Sequence, residues 1–458
     1  MSAINARKLG LILLLLLFFI TRASLPAFPQ ENKAKAEDIT LTAKMKSTVV
    51  KGVSRLLNDH YIFPETAKKM EEHLNAQLNE GKYDRINDKN EFARALTIDL
   101  RSISKDKHIR VSCDPEAVKR IRASNSSSNE EQEKARKVQI ERERQRNFGF
   151  RRLEILEGNI GYLDLTGFSG LDQAAETIIA AMNFLANSNA VIIDLRNNGG
   201  GSPFTIQIIS SYFLEEYTHL NSFEWRGDDI IKQFWTLRYV PGKKMYDTDL
   251  YILTSSRTFS AAEEFTYNLK NLKRATIVGE TTGGGAHPGG SRIVNDYFLV
   301  WVPSGRAINP ITKTNWEGTG IEPHISVPRD KALDKAHQTA LEKLIKKAED
   351  EEKKQRLQWA LDGITAKLEP IEVPEETLKK YVGQYTRGIV TLEDGQLFLK
   401  AGPQKFKMIP LSETYFVLDG WADVRIEFIP VDEGRDIAIK AHLSDGSSEI
   451  VNKVKKDK

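Results

Sequence analysis

Ala190-Val191-Ile192-Ile193-Asp194-Leu195-Arg196-Asn197-Asn198-Gly199-Gly200-Gly201 is the stretch on which the fold turns: an apolar strand runs directly into a polar turn and three consecutive glycines. Ile160-Gly161-Tyr162-Leu163-Asp164-Leu165 precedes it as a second strand, with a helix-like stretch from Asp172 to Leu185 between the two. Another helical stretch, Phe204 to Leu214, follows the glycines. Leu250 to Leu253, a helix from about Ala261 to Leu272, and Ala275 to Val278 repeat the unit. Strand, helix and strand in alternation imply a mainly parallel α/β core.

Working outward, the period changes on both sides of that core. From Leu41 to about Ser104 apolar residues recur at helical spacing, as in Val49, Val53, Leu56 and Leu57, or Phe92, Leu96 and Leu100, which predicts a helical domain. Asp106-Lys107-His108-Ile109-Arg110-Val111 closes it as a short strand, and residues 124–146, polar and then mixed in charge, read as a solvated linker or exposed helix. Beyond Pro328 an amphipathic helix or helix pair leads to Pro370. Short alternating strands follow, with hairpin signals at Asp394-Gly395, Glu433-Gly434 and Asp445-Gly446. The expected organisation is a signal peptide over 1–27, a helical domain over 28–112, a charged linker over 113–150, an α/β core over 151–330, a helical linker over 331–370 and a β domain over 371–458.

Composition excludes several classes. The chain has 458 residues, 66 Lys+Arg against 63 Asp+Glu, 40% apolar side chains and a single cysteine, Cys113. That is a large globular protein, neither disordered nor a disulfide scaffold. Arg7, Lys8 and Arg22 lie in an N-terminal segment free of acids, and without it the charges balance. No electrostatic case for nucleic acid is left. Leu9 to Ile20 is an unbroken apolar run of signal-peptide length. Export to a periplasm, cell envelope or medium is therefore expected, with no stable membrane span after cleavage.

Three features carry chemistry. In Thr254-Ser255-Ser256-Arg257-Thr258-Phe259-Ser260-Ala261-Ala262-Glu263-Glu264-Phe265 a strand ends, a polar turn follows and a helix begins. Such a junction exposes a hydroxyl beside free helix N–H donors; a plain Ser260 N-cap is the bland alternative. The glycine triplet lets backbone N–H groups face a phosphate or a developing oxyanion, and without GxxxxGK[ST] or GxGxxG it is no Walker or dinucleotide loop. A serine needs a base, and of eight histidines His108, at the helix-to-strand break, and His287, in Gly283-Gly284-Gly285-Ala286-His287-Pro288-Gly289-Gly290, are the candidates. HExxH and CxxC are missing, so no metal site or other cofactor is expected.

Five motifs, DKHIRV (Asp106 to Val111), DLRNNGGG (Asp194 to Gly201), SSRTFSAAEEF (Ser255 to Phe265), VGETTGGGAHPGG (Val278 to Gly290) and NWEGTGIEP (Asn315 to Pro323), stand in an order that resembles the tricorn-core and C-terminal-processing serine peptidases. The likeness is closest to the branch named after interphotoreceptor retinoid-binding protein, and it covers about Leu41 to Pro328. It implies a ClpP/crotonase-like α/β core with an N-terminal helical domain, and the tail resembles small C-terminal β-barrel domains. It also implies Ser260 as nucleophile, His108 as base, Glu317 as the acid that orients the base, and backbone N–H groups of Gly199 or Gly200 and of Ala261 as oxyanion donors. His287 is then a reserve base or a border of the substrate. The chain departs from the pattern in having Gly285 where processing peptidases carry a lysine, and Lys107 where tricorn-type sites carry a serine. The expected function is an exported serine endopeptidase acting on peptides or unfolded protein. The alternatives are a catalytically silent retinoid or fatty-acid carrier on the same scaffold, and an esterase.

Overall fold

The computed structural model describes residues 40–125, 128–228, 230–431 and 436–454. The signal peptide expected over 1–27 lies outside the described residues, and among those described no helix is long and apolar enough to cross a membrane.

Helices α1 (Ala43–His60), α2 (Pro64–Asn79) and α3 (Lys89–Ser104) form the N-terminal domain. Thr42 and Asp88 cap α1 and α3 by accepting from N–H groups of their first turns, and Lys105, in the left-handed region at φ 59°, ends α3. Their apolar stripes meet around Val49, Val53, Leu57, Met70, Leu74, Phe92, Leu96 and Leu100. This core is not closed by its own segment. Strand β1 (Arg110–Cys113) continues into α4 (Pro115–Ser124) and α5 (Asn129–Gln145). Of the two readings for the charged stretch, solvated linker or exposed helix, α5 is the second, and it buries none of its residues.

The central sheet contains β2 (Phe150–Leu156), β3 (Ile160–Leu165), β4 (Ala190–Asp194), β7 (Asp249–Thr254), β8 (Ala275–Gly279) and β12 (Ile325–Ser326), in the order β12-β8-β7-β4-β3-β2. All neighbours are parallel except β2 and β3, as the alternating pattern predicts. Between them run α6 (Leu171–Leu185), α7 (Pro203–Phe213), β5 (His219–Trp225), β6 (Lys232–Trp235), α8 (Ala261–Asn271), β9 (Gly289–Ile293), β10 (Phe298–Pro303) and β11 (Gly305–Ile308). Alternate side chains of each strand take opposite faces. Val191 and Ile193 pack beneath α6, α7 and α8, while Ala190 and Ile192 face the other way.

That second face is covered by α9 (Ala332–Lys347) and α10 (Glu351–Leu368), whose Ala336, Ala340, Leu341, Leu357 and Ala360 are buried against Tyr162, Tyr251 and Leu253. Segment 331–370, expected as a helical linker, is helical and packs as a layer of the core. A strand buried on both sides needs a cover on both, and the apolar faces of α9 and α10 supply the second. After α11 (Glu375–Tyr381), eight strands run as an antiparallel meander from β13 (Gly383–Tyr385) to β20 (Ser448–Val451). A bridge from Tyr385 to Lys453 joins its ends into a barrel. Asp394 and Gly395 both have positive φ, the turn that their sequence signals; the Glu433-Gly434 signal lies outside the described residues. Arg425, 3% exposed, stacks 3.8 Å from the Trp359 ring centre and pairs with Asp362, tying the barrel to α10.

For function the decisive connection is β1 with β10. They pair antiparallel, Val111 opposite Val300, so Phe298, Val300 and Val302 complete the core of the helical domain from nearly two hundred residues away. Ile62 N donates to Pro303 O and Arg226 donates to Tyr61 O across the same seam. Phe298 is fully buried, with its ring edge-on to Phe92. Phe298→Ala should cost about 3–5 kcal/mol of stability in denaturant unfolding. A loss under about 1 kcal/mol would mean that the two domains do not share this core.

Candidate active site

Three turns meet at the carboxyl edge of the parallel strands, where open α/β sheets place their sites. They are the glycine turn after β4, the Ser255–Ser260 turn after β7 and the Gly283–Gly290 loop after β8. Leu195 O accepts from Thr258 Oγ1 at 2.8 Å, Arg196 O from Ser255 Oγ at 2.7 Å, and Asn198 O from Phe259 N at 3.0 Å, which fastens the second turn to the first. Thr258 O in turn accepts from Gly283 N at 2.9 Å, fastening the third.

Ser260 ends this turn at φ 56°, ψ −122°, a region nearly reserved for glycine that costs a serine about 1–3 kcal/mol. It is the N-cap of α8. Its N–H donates to Glu263 Oε2 at 2.9 Å, and the same carboxylate takes Gly284 N at 2.6 Å, Gly285 N at 2.8 Å and Thr282 Oγ1. Glu263 is fully buried, and burial pushes its carboxyl upward even against these four donors. The sequence suggests only a first-turn acid facing the helix dipole; the structure makes Glu263 the clamp between the serine turn and the glycine loop.

The oxyanion candidates divide. Gly200 N donates to Asn198 Oδ1 at 2.9 Å, so that N–H is already used. Gly200 is needed for space: at φ 110° a Cβ there would lie 2.9 Å from both Ser260 Cβ and Ala261 N. Among the described residues, neither the Gly199 nor the Ala261 N–H makes a backbone hydrogen bond in a turn or loop. Ala261, at the first position of α8, is one of the helix's free donors.

His108 stands in the turn between α3 and β1, with its side chain 8% exposed and its ring 4.6 Å from that of Phe259. Neither ring nitrogen has a hydrogen-bond partner, so His108 and Ser260 are not bonded to each other. Burial pushes the imidazole down to about 4, which leaves it neutral near pH 7. Lys107, in the place of the usual serine, reaches across to Gly283 O at 2.5 Å.

Behind His108 lies a group that the sequence does not single out. Asp106, 1% exposed, accepts from His108 N at 2.9 Å, from Tyr61 OH at 3.3 Å and, across the domain seam, pairs with His287 Nδ1 at 2.8 Å. Its Oδ1 is 3.9 Å from His108 Nδ1. Glu317 is 3.5 Å from His287 Nδ1, accepts from Ala286 N and leaves Oε1 without a partner. The structure thus joins Glu317 to His287 and Asp106, and places Asp106 nearest to His108. The one available signal for Asp106 is its position two residues before His108. Asp106, His287 and Glu317 offer three ligand atoms within 4.8 Å of one another, a spacing that also suits a metal ion. Asp106 Oδ2, however, already holds the His287 Nδ1 contact.

A hydroxyl on a strained strand-to-helix elbow, flanked by free backbone donors, with neutral histidine and buried carboxylates nearby, is the arrangement of a serine hydrolase. Comparison with known proteins agrees with that class. Residues 159–327 match peptidase family S41, and residues 31–148 match the N-terminal domain of that family in eukaryotic IRBP. The chain thus carries a peptidase family S41 domain preceded by that family's N-terminal domain. It is 33% identical over 138 residues to carboxyl-terminal-processing peptidase 2, chloroplastic, of Arabidopsis thaliana, a match that takes in 27% of this chain. The chain spans 24% of the length of that relative. Among solved structures it is similar to the photosystem II D1 C-terminal processing protease, at 14% identity and TM-score 0.38 over 63% of this chain and 94% of that one. It is also similar to the tricorn protease, at 13% identity and TM-score 0.42 over 66% and 37%.

Burial and the adjacent Asp106 carboxylate push Glu317 up from 4.5 to about 7. A carboxyl raised in the fold costs stability once the unfolded chain ionises it, so the cost begins above about pH 4.5 and is complete above pH 7. Glu317→Gln should therefore raise Tm at pH 8 and leave it nearly unchanged at pH 4. Equal shifts at the two values, read by calorimetry, would show that Glu317 is not strained by charge.

Proposed function

We propose that this protein is an exported serine endopeptidase that cleaves peptides or unfolded chains through an acyl-enzyme on Ser260. The observation that carries this reading is the backbone of Ser260: a non-glycine residue at φ 56°, held there by a buried carboxylate, at the mouth of a cavity. Strain of that kind persists only where the surroundings impose it.

A neutral serine hydroxyl attacks an amide carbonyl only if a base takes its proton. His108, neutral and without a partner at either nitrogen, is that base once its ring closes on the hydroxyl; catalytic contacts often tighten only with substrate bound. The imidazolium then forms beside Asp106, which His287 holds in place with Glu317 on its far side. The N–H groups of Ala261 and Gly199 take the tetrahedral oxyanion, each worth about 3 kcal/mol in the transition state. Protonated His108 returns its proton to the leaving amine, and water deacylates Ser260 through the same base. The charged N-terminus and apolar run Leu9–Ile20 support export. Family S41 and the processing-peptidase relative support peptide or protein substrates.

Ser260→Ala should lower casein hydrolysis by at least about 10⁴-fold and abolish labelling by a fluorophosphonate. Hydrolysis or labelling that persists in the variant rejects the assignment.

A further inference from the structure

Next to Ser260 lies a cavity of about 700 Å³ whose walls include Phe204, Phe223, Trp225, Phe234 and Trp316. Ser260 and Ala261 line it, and so does Glu264, which is only 4% exposed. Ser260 and Glu264 are four residues apart at the start of α8, so they share one helix face about 5–6 Å apart. Helical side chains lean toward the N-terminus, which carries the Glu264 carboxyl back toward the serine. A carboxyl among aromatic rings is costly unless something answers its charge. No salt bridge reaches it among the described residues. Its neighbour is the amide of Asn221, which is fully buried with neither Nδ2 nor Oδ1 in a well-formed hydrogen bond. Among the described residues the side chain that answers the Glu264 carboxyl is thus a neutral amide and not a cation.

We propose that this cavity receives the side chain of the substrate residue whose carbonyl Ser260 attacks, and that Glu264 selects lysine or arginine there by pairing with the cationic end. This deepens the peptidase reading and rests on it. The length suits: one helical turn separates nucleophile and acid, about the reach of a lysine stem, and the rings cover that stem. The chemistry suits as well, because aromatic faces attract cations. Lys232 Nζ already sits 4.8 Å from the Phe204 ring centre and 5.4 Å from that of Phe234. Among the described residues, Lys232 and Asp228, of opposite sign, are the other charged groups lining the cavity. Burial pushes Glu264 up to about 8 in the empty cavity. An entering cation therefore displaces a proton to solvent below pH 8, and its affinity rises with pH up to that point and then levels.

The test uses benzamidine and its uncharged analogue benzamide, titrated against the whole protein by the fluorescence of Trp225 and Trp316. Benzamidine should bind at least tenfold more tightly than benzamide at pH 8, the preference should shrink several-fold at pH 6.5, and Glu264→Gln should erase it. Equal affinities in the wild type overturn the proposal without any variant, as does a preference that Glu264→Gln leaves intact. In hydrolysis, the ratio of kcat/KM for peptides with Lys against Leu before the scissile bond should fall at least tenfold in Glu264→Gln, and an unchanged ratio counts against the subsite. Absence of all hydrolysis and of Ser260 labelling would instead reject the peptidase reading, while the benzamidine titration still decides whether the cavity takes a cation.

Discussion

The buried carboxylate of Glu263 is the interaction on which the site depends. It draws the Ser260, Gly284 and Gly285 N–H groups and the Thr282 hydroxyl to one point. A carboxylate out of water is tolerated only when donors replace its hydration, so the same bonds that satisfy Glu263 oblige two loops from different strands to converge. Ser260 then has no room to relax from positive φ, and its strain is borne by the clamp. The next residue of the helix, Glu264, has the opposite situation: it is nearly as buried, yet it faces an aromatic cavity and makes no salt bridge among the described residues. Two adjacent glutamates thus separate into a structural acid and one left open to a ligand, according to the donors around each.

A second constraint is the sharing of the helical domain's core. Because β10 belongs by sequence to the α/β part and by packing to the helices, the turn that carries Asp106 and His108 is held against the Gly283–Gly290 loop rather than swinging free. Lys107 adds a bond to Gly283 O, and Asp106 spans the seam to His287. Buried charges in low dielectric polarise one another. Here burial keeps His108 neutral although Asp106 favours its charged form, and burial together with the Asp106 charge raises the Glu317 carboxyl. A neutral imidazole beside the buried Asp106 carboxyl is able to accept a proton, and an ionised Asp106 would offset the charge so formed.

Much of this was legible along the chain, because period and glycine placement are local properties. Apolar alternation at Ile160–Leu165 and Ala190–Leu195 marked buried strands, and Asp394-Gly395 marked its turn. The helical character of 331–370 was legible too, but amphipathicity shows that a helix has an apolar face and not which surface covers it, so its place against the sheet was not. Ser260 was singled out by its strand-to-helix junction. Glu263 was taken for a dipole-facing acid, since nothing in its own segment announces donors from a loop twenty residues on. Gly200 was expected among the oxyanion donors, but the bond that occupies its N–H comes from a side chain two residues away whose rotamer no spacing specifies.

The sequence by itself therefore determined the elements, their order and the strand-to-helix junction that carries Ser260, since strands, helix starts and glycine turns follow from steric and solvation rules acting over a few residues. Only the tertiary structure decided the partnerships: Asp106 with His108 and His287, Glu317 with His287, Glu264 with an aromatic cavity. Those depend on which donors, charges and rings packing brings within a few ångströms, and hydrogen bonds and desolvation act over that distance in space, whatever the separation along the chain.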